Sequence, residues 1–198
     1  MMKRKIKTIG IAALIVLAIL ASFILDHAAY DAAVSLRIPV LTAFFKGITI
    51  VGEAMPAIII AIIITAAFLI TRKDTQFFWI AFIANSALVY IIKAVTDRAR
   101  PFIAYHGSQL VNVSLSSFPS GHAAFAFLLL PFLNRGFPKW KAVWWTLAFL
   151  VALSRIYLGV HYLSDVVAGG ILGYSIGTLC ARFQEYCEKN YANKKDTC

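Results

Sequence analysis

Long apolar runs, separated by short segments that carry most of the charge, set the pattern of this chain. Six runs read as membrane-spanning helices: Ile9–Leu25, Met55–Ile70, Phe77–Val95, Gly121–Leu133, Val143–Tyr157 and Leu163–Ala181. A spanning helix needs roughly 20 mainly apolar residues. The first, third and sixth runs approach that length and the other three are short. Between the first two lies a mixed stretch, Asp26–Glu53, with apolar residues at Val40, Leu41, Phe44, Phe45 and Ile48. That spacing suits one or two amphipathic helices lying at the membrane interface, with an ordinary loop as the alternative. The pattern therefore predicts an all-α integral membrane protein. It would be a six-transmembrane-helix bundle with an amphipathic interfacial segment between the first two spans. No repeat, low-complexity tract or Pro/Gly-rich linker divides residues 1–198, which read as a single membrane-embedded domain.

Composition agrees with this reading. Of 198 residues, 61% are hydrophobic and only 14% charged, with mean hydropathy +0.78, which is unlike a soluble domain. The formal charge of +10 would suit nucleic acid, but the cations sit between apolar runs, where they act as topology signals. Lys3, Arg4, Lys5, Lys7, Arg72, Lys73, Arg135, Lys139, Lys141, Arg182, Lys189, Lys194 and Lys195 fall on one side of the bundle. Arg37, Lys46, Lys93, Arg98, Arg100 and Arg155 fall on the other. The excess of Lys and Arg on the first side places both termini in the cytoplasm of a multi-pass cell-membrane protein. The N-terminal MMKRKIK and the run after it also resemble a signal peptide. The length of that run and the lack of a small-residue cleavage site favour an uncleaved first span. Cys180, Cys187 and Cys198 have no paired metal-ligand spacing and read as free thiols on the reducing side.

Three clusters stand against the orientation signal, on the outer face: Lys93–Pro101 (KAVTDRARP), Pro119–His122 (PSGH) and Ser154–Asp165 (SRIYLGVHYLSD). Ionisable groups at membrane depth are expensive and mark functional sites. Guanidinium forks match phosphate oxygens in pairs, and an ammonium adds a point charge, so Lys93, Arg100 and Arg155 are candidate phosphate binders. Ser120 is a candidate N-cap, and Gly121 permits close backbone approach. The helix N-terminus they open offers free N–H groups and a partial positive charge to an anion, with His122 in its first turn. From Ser120 to Asn134 a helix rises only about 22 Å, against roughly 30 Å of hydrocarbon. Its upper end would then lie at the depth of a lipid phosphate.

His161 and Asp165 are four residues apart and on a helix would share one face. A carboxylate bonded to one ring nitrogen fixes the tautomer and supports the cation formed when the other nitrogen attacks. A metal site or a plain structural pair is the alternative, and three nearby cations disfavour the metal.

Lys93-x6-Arg100-Pro101, Pro119-Ser120-Gly121-His122 and Ser154-Arg155-x5-His161-x3-Asp165 closely resemble the three-part signature of the type 2 phosphatidic acid phosphatase superfamily. Every signature position is filled. The resemblance implies metal-independent hydrolysis of a lipid phosphate or pyrophosphate through a phosphohistidine, with no cofactor. His161 would be the nucleophile, Asp165 its orienting carboxylate and His122 the proton donor. Lys93, Arg100 and Arg155, with Ser120 and Gly121, would hold the phosphoryl oxygens. Small members of this family commonly act on polyprenyl pyrophosphates such as undecaprenyl pyrophosphate, releasing the monophosphate and phosphate. Others act on phosphatidylglycerophosphate, phosphatidate or lipid A. The expected partners are thus a phosphorylated lipid and the surrounding membrane lipids, with polyprenyl pyrophosphate first among substrates. A carrier of phosphorylated lipids or anions is the alternative of another class.

Overall fold

The structure is a computed structural model that describes residues 2–71, 74–113 and 116–195. Arg72, Lys73 and Cys198 lie outside the described residues, as do the side chains of Lys3, Arg4, Lys5, Lys7, Lys194 and Lys195. The described residues form nine α-helices and no strand. In order they are α1 (Met2–Ile24), α2 (Asp26–Ser35), α3 (Pro39–Thr49), α4 (Ala54–Ile70), α5 (Gln76–Thr96), α6 (Pro101–Ala104), α7 (Gly121–Gly136), α8 (Lys141–Tyr157) and α9 (Leu163–Lys195). The six apolar runs correspond to α1, α4, α5, α7, α8 and α9. The mixed stretch Asp26–Glu53 forms two helices, α2 and α3, ended by a 3-10 turn at Ile50–Gly52.

Length decides which helices qualify as spans by composition alone. Gln76–Ala104 and Leu163–Asn190 do so, with mean hydropathies of 1.8 and 1.4. Two bent pairs qualify jointly: Ala13–Ile24 with Asp26–Ser35, at 58°, and Pro39–Gly52 with Ala54–Ile70, at 61°. The described residues thus hold two candidate spans, or four if each bent pair is one. The remaining helices, α7 and α8, have 16 and 17 residues and rise only about 24–26 Å.

α7 is the central helix. Ala123, Phe125, Leu128, Leu130 and Phe132 are buried on every side of it, as expected of a helix apolar all round and enclosed by others. Against it α4 turns the stripe Ala57, Ala61, Ile64 and Phe68, and α5 contributes Phe78 and Ala81. The outward faces are apolar too: Ile59, Ile62 and Ile63 on α4 and Ile80, Ile83 and Ile91 on α5 are exposed. In water such faces would aggregate; in hydrocarbon they are the natural solvent contact.

Without a strong hydrophobic drive between helices in lipid, close backbone packing has to hold them, which favours small residues at the seam. α9 presents Gly169, Gly173 and Gly177 to α7. A Cβ at these positions would run into the carbonyl oxygens of Ser120, Ala124 and Leu128 respectively. This seam fixes the start of α9 beside the start of α7. On the far side, α3 turns Phe45 onto Tyr157, with ring centroids 4.5 Å apart, while Val40 and Phe44 face outward.

Candidate active site

The three sequence clusters meet at the end of the bundle where α5 and α8 stop and α7 and α9 begin. α5 ends at Asp97, which adopts a left-handed conformation (φ 38°) and donates its N–H to Lys93 O at 3.1 Å, a turn that a short polar side chain tolerates. The loop before α7 is stitched to that end. Lys93 Nζ donates to Ser116 O and Ser117 O at 3.1 and 3.2 Å. Ser116 Oγ donates back to Lys93 O at 3.0 Å, and Ser117 N–H donates to Arg98 O at 2.7 Å. Ser120 N–H donates to Asp165 O at 3.0 Å, joining the starts of α7 and α9.

Ser120 is the N-cap of α7, its Oγ accepting from Ala123 N–H at 3.4 Å. A Cβ at Gly121 would meet nothing nearer than Val89 Cγ1 at 3.5 Å, so packing against protein does not demand glycine there. The free space belongs to a cavity of about 430 Å³ between α4, α5 and α7, lined by Gly121, His122, Asn85, Ser86 and Phe125. The His122 ring lies against Gly52, where any Cβ would collide with it. His122 Nε2 and Arg155 Nε are buried without a hydrogen-bond partner among the described residues.

Arg155, in the last turn of α8, is 2% exposed and donates from Nη1 to Thr49 Oγ1. Its carbonyl accepts the N–H groups of Val160 at 3.2 Å and His161 at 3.3 Å, which folds His161 back toward it. Arg100, also buried, donates from Nη1 to Val160 O at 2.6 Å and lies 3.2 Å from His161 Nε2. A guanidinium has no acceptor, so Nε2 accepts and the ring proton resides on Nδ1. Nδ1 faces Asp165 Oδ2 at 3.4 Å.

The His161–Asp165 pairing arises differently from the helical spacing expected of it. α9 begins only at Leu163, so His161 sits in the preceding turn. There the fully buried Asp165 carboxylate reaches back to cap Tyr162 N–H at 2.9 Å. Ser117 Oγ also donates to Asp165 Oδ2. Burial, followed by the charges of Arg155, Arg100 and Lys93, holds the pKa of His161 well below the ordinary imidazole value.

All eight predicted site residues are therefore gathered at one end of the bundle. Lys93 and Arg100 also serve as ties, each spending donors on backbone carbonyls. Sequence reasoning missed Thr49, Ser117, Gly52, Asp26 and the role of Arg98. Arg98 Nη1 donates to Asp165 Oδ1 and Ser164 Oγ, each at 2.7 Å, and Nη2 donates to Asp26 Oδ2 at 2.7 Å. Among the described residues, no group of three His, Cys, Asp or Glu side chains is placed to hold a metal ion. The arrangement is suited to an anion. Three cations, Lys93, Arg100 and Arg155, act on a neutral imidazole whose lone pair is turned toward Arg100, and a second imidazole, His122, has a buried nitrogen.

Comparison with known proteins places this geometry. The PAP2 superfamily pattern matches residues 75–189, which contain all three clusters. The chain is 34% identical over 173 residues to phosphatidylglycerophosphatase B of Bacillus subtilis (strain 168), covering 81% of this chain and 83% of that protein. It is 35% identical over 130 residues to the undecaprenyl-diphosphatase of Sulfolobus acidocaldarius, covering 61% of this chain and 62% of that one. The crystal structure of the transmembrane PAP2-type phosphatidylglycerolphosphate phosphatase from Bacillus subtilis superposes with a TM-score of 0.76 at 28% identity, over 90% of this chain and 96% of that one. The chain thus belongs to the PAP2 superfamily and is a phosphate hydrolase.

Proposed function

We propose that the protein is a single-domain, six-span membrane enzyme that removes a terminal phosphoryl group from a lipid, without metal or other cofactor, through a phosphohistidine. Its termini face the cytoplasm and its site opens at the outer face, a topology supported by the excess of Lys and Arg on the opposite side. On this topology α2 and α3 form the interfacial segment. The observation that carries the mechanism is the His161 ring. Its Nε2 lone pair is turned toward the Arg100 guanidinium at 3.2 Å, and its Nδ1 toward the Asp165 carboxylate.

In the first step Nε2 attacks phosphorus and the P–O bond to the leaving group breaks. His122, as the imidazolium, gives its proton to the departing oxygen. The phosphoimidazolium keeps its Nδ1–H, which donates to the Asp165 carboxylate, and that negative charge stabilises the new positive charge. In the second step neutral His122 takes a proton from water as its oxygen attacks phosphorus. The N–P bond breaks and inorganic phosphate leaves. Lys93, Arg100 and Arg155, with Ser120 and the N–H groups at Gly121, hold the oxygens as charge develops on them.

Polyprenyl pyrophosphate is the substrate that the family resemblance puts first. A relative that is 34% identical over 173 residues is named for phosphatidylglycerophosphate, so that lipid stands beside it. Both present a terminal phosphoryl group, which is all these residues contact. The test is a panel of lipid phosphates and pyrophosphates, assayed in excess EDTA with purified protein. Turnover should persist, and acid quenching should trap acid-labile phosphate on His161. Dependence on added zinc, or label absent from His161 during turnover, would overturn the mechanism. Substrate movement surviving His161→Ala without phosphate release would favour the carrier.

A further inference from the structure

The segment before residue 75 lies outside the matched family pattern, yet it sends one carboxylate to the edge of the site. Asp26, the first residue of α2, is 5% exposed. Its Oδ1 accepts Ser164 N–H at 2.8 Å, and its Oδ2 accepts Ser164 Oγ and Arg98 Nη2, each at 2.7 Å. Arg98 then bridges from Asp26 to Asp165 Oδ1 at 2.7 Å. Its guanidinium carbon lies over the Tyr162 ring, 3.8 Å from the centroid, with the Phe23 ring of α1 at 5.1 Å. A planar fork held at both ends and stacked on a ring is locked in place.

Charge explains why a second carboxylate is needed. With Arg98 paired to it alone, Asp165 would be neutralised and would give little support to a cation on His161. With Asp26 the trio Asp26–Arg98–Asp165 carries a net charge of −1. We propose that Arg98 and Asp26 are positioning residues for the nucleophile: Arg98 fixes the Asp165 carboxylate behind His161, and Asp26 restores the negative charge that Arg98 would otherwise cancel. This rests on the phosphohistidine reading above. Neither residue touches the phosphoryl group; both act through Asp165. The other charged groups facing His161 are Lys93 on α5, Arg100 before α6, His122 on α7 and Arg155 on α8, and none of them changes in the test.

The test uses the full chain in detergent with farnesyl diphosphate as the probe, following kcat, KM and the acid limb of kcat/KM. Asp26→Asn keeps the shape and removes the charge. It should lower kcat about tenfold, as loss of an outer-shell partner typically does, with KM within about twofold. Its acid limb should move to lower pH, because a negative charge near His161 is gone. Arg98→Met removes the opposing charge, so its limb should move to higher pH, with a kcat loss of about a hundredfold. Limbs displaced in opposite directions are the signature of a charge-setting role, and lost packing alone would not produce them. Limbs that move together or stay fixed overturn the proposal, as does unchanged kcat in folded Asp26→Asn. Should either variant fail to fold, Arg98→Lys decides. It keeps the charge but not the fork, so kcat should fall with the limb in place, and normal kcat or a displaced limb overturns the proposal. Failure of the phosphohistidine reading itself would show separately, as turnover without label on His161 in the unmodified protein.

Discussion

The two ends of the bundle each hold a cavity of about 430 Å³, and they differ in the charge buried at that end of the bundle. At the far end, Arg135 meets Glu188, and Gln184 donates to Asp74 O at 2.9 Å and to Glu188 Oε1 at 3.0 Å. Arg135 is matched there by a carboxylate of opposite sign, and the result is a tie between α7 and α9. At the other end, Lys93, Arg98, Arg100 and Arg155 outnumber the buried carboxylates Asp26 and Asp165. Cavity size does not distinguish the two ends; cations buried in excess of carboxylates do. Buried excess cations are costly unless an anion completes them, which gives the cation cluster at the second end, and not the matched pair at the first, a reason to attract a phosphoryl group.

The sharpest way to break this comparison is to keep the cations and remove the proposed acceptor of the phosphoryl group. His161→Asn should lower kcat by at least about 10⁴-fold, the scale seen when a nucleophile is deleted from a cooperating set. Its melting temperature in detergent should stay close to that of the unmodified chain. Residual turnover within tenfold of the original would remove His161 from the reaction. A smaller loss is expected from Arg155→Lys, about a hundredfold in kcat/KM, because the charge stays while the paired donors are lost. Near-normal kinetics there would mean that charge surplus alone is enough.

The pH dependence sharpens the same point. His161 has its pKa held below the ordinary value of 6.5 by burial and then by Arg155, Arg100 and Lys93, so its lone pair stays available on mild acidification. The acid limb of kcat/KM, corrected for ionisation of the substrate, should fall below pH 6.5. A limb above it would show that the cations fail to act on the ring. The linkage has a definite sign. Below pH 6.5 the unfolded chain binds a proton at this position that the folded chain does not. Stability should therefore decline as pH falls through that value, by up to about 1.4 kcal/mol per pH unit.

The difference between the two ends was partly readable from residue order. Helix positions followed from long apolar runs, and Ser120 was recognisable as a cap because a small hydroxyl residue preceded such a run. Lys93, Arg100, Arg155 and the two histidines stood out because charge is scarce in this chain. Their supports did not stand out. Thr49 meets Arg155 across 106 residues and Asp26 meets Ser164 across 138, and nothing local marks a threonine or aspartate in a mixed segment as part of a distant site. Arg98 sat inside a recognised cluster, but spacing alone cannot say which arginine turns toward the anion and which toward a carboxylate. The four-residue interval from His161 to Asp165 led to the right pair by the wrong geometry, since the contact is made across a turn and not along a helix face.

The smallest effect is expected where the charges are already matched. Arg135 and Glu188 are both substantially exposed, at 37% and 45% of their side-chain surface. Pairs of that kind contribute only about 0–1 kcal/mol. Arg135→Gln should therefore leave kcat/KM within about twofold, because no charge at the site end changes, while high salt should mimic the substitution by screening the pair. The contrast with Arg155→Lys is the informative part. One substitution keeps a positive charge and the other deletes one, yet the first should be far more damaging, because only Arg155 is buried beside the histidines with a donor left over. If Arg135→Gln cost as much as Arg155→Lys, activity would depend on the total charge of the bundle and not on where the surplus lies.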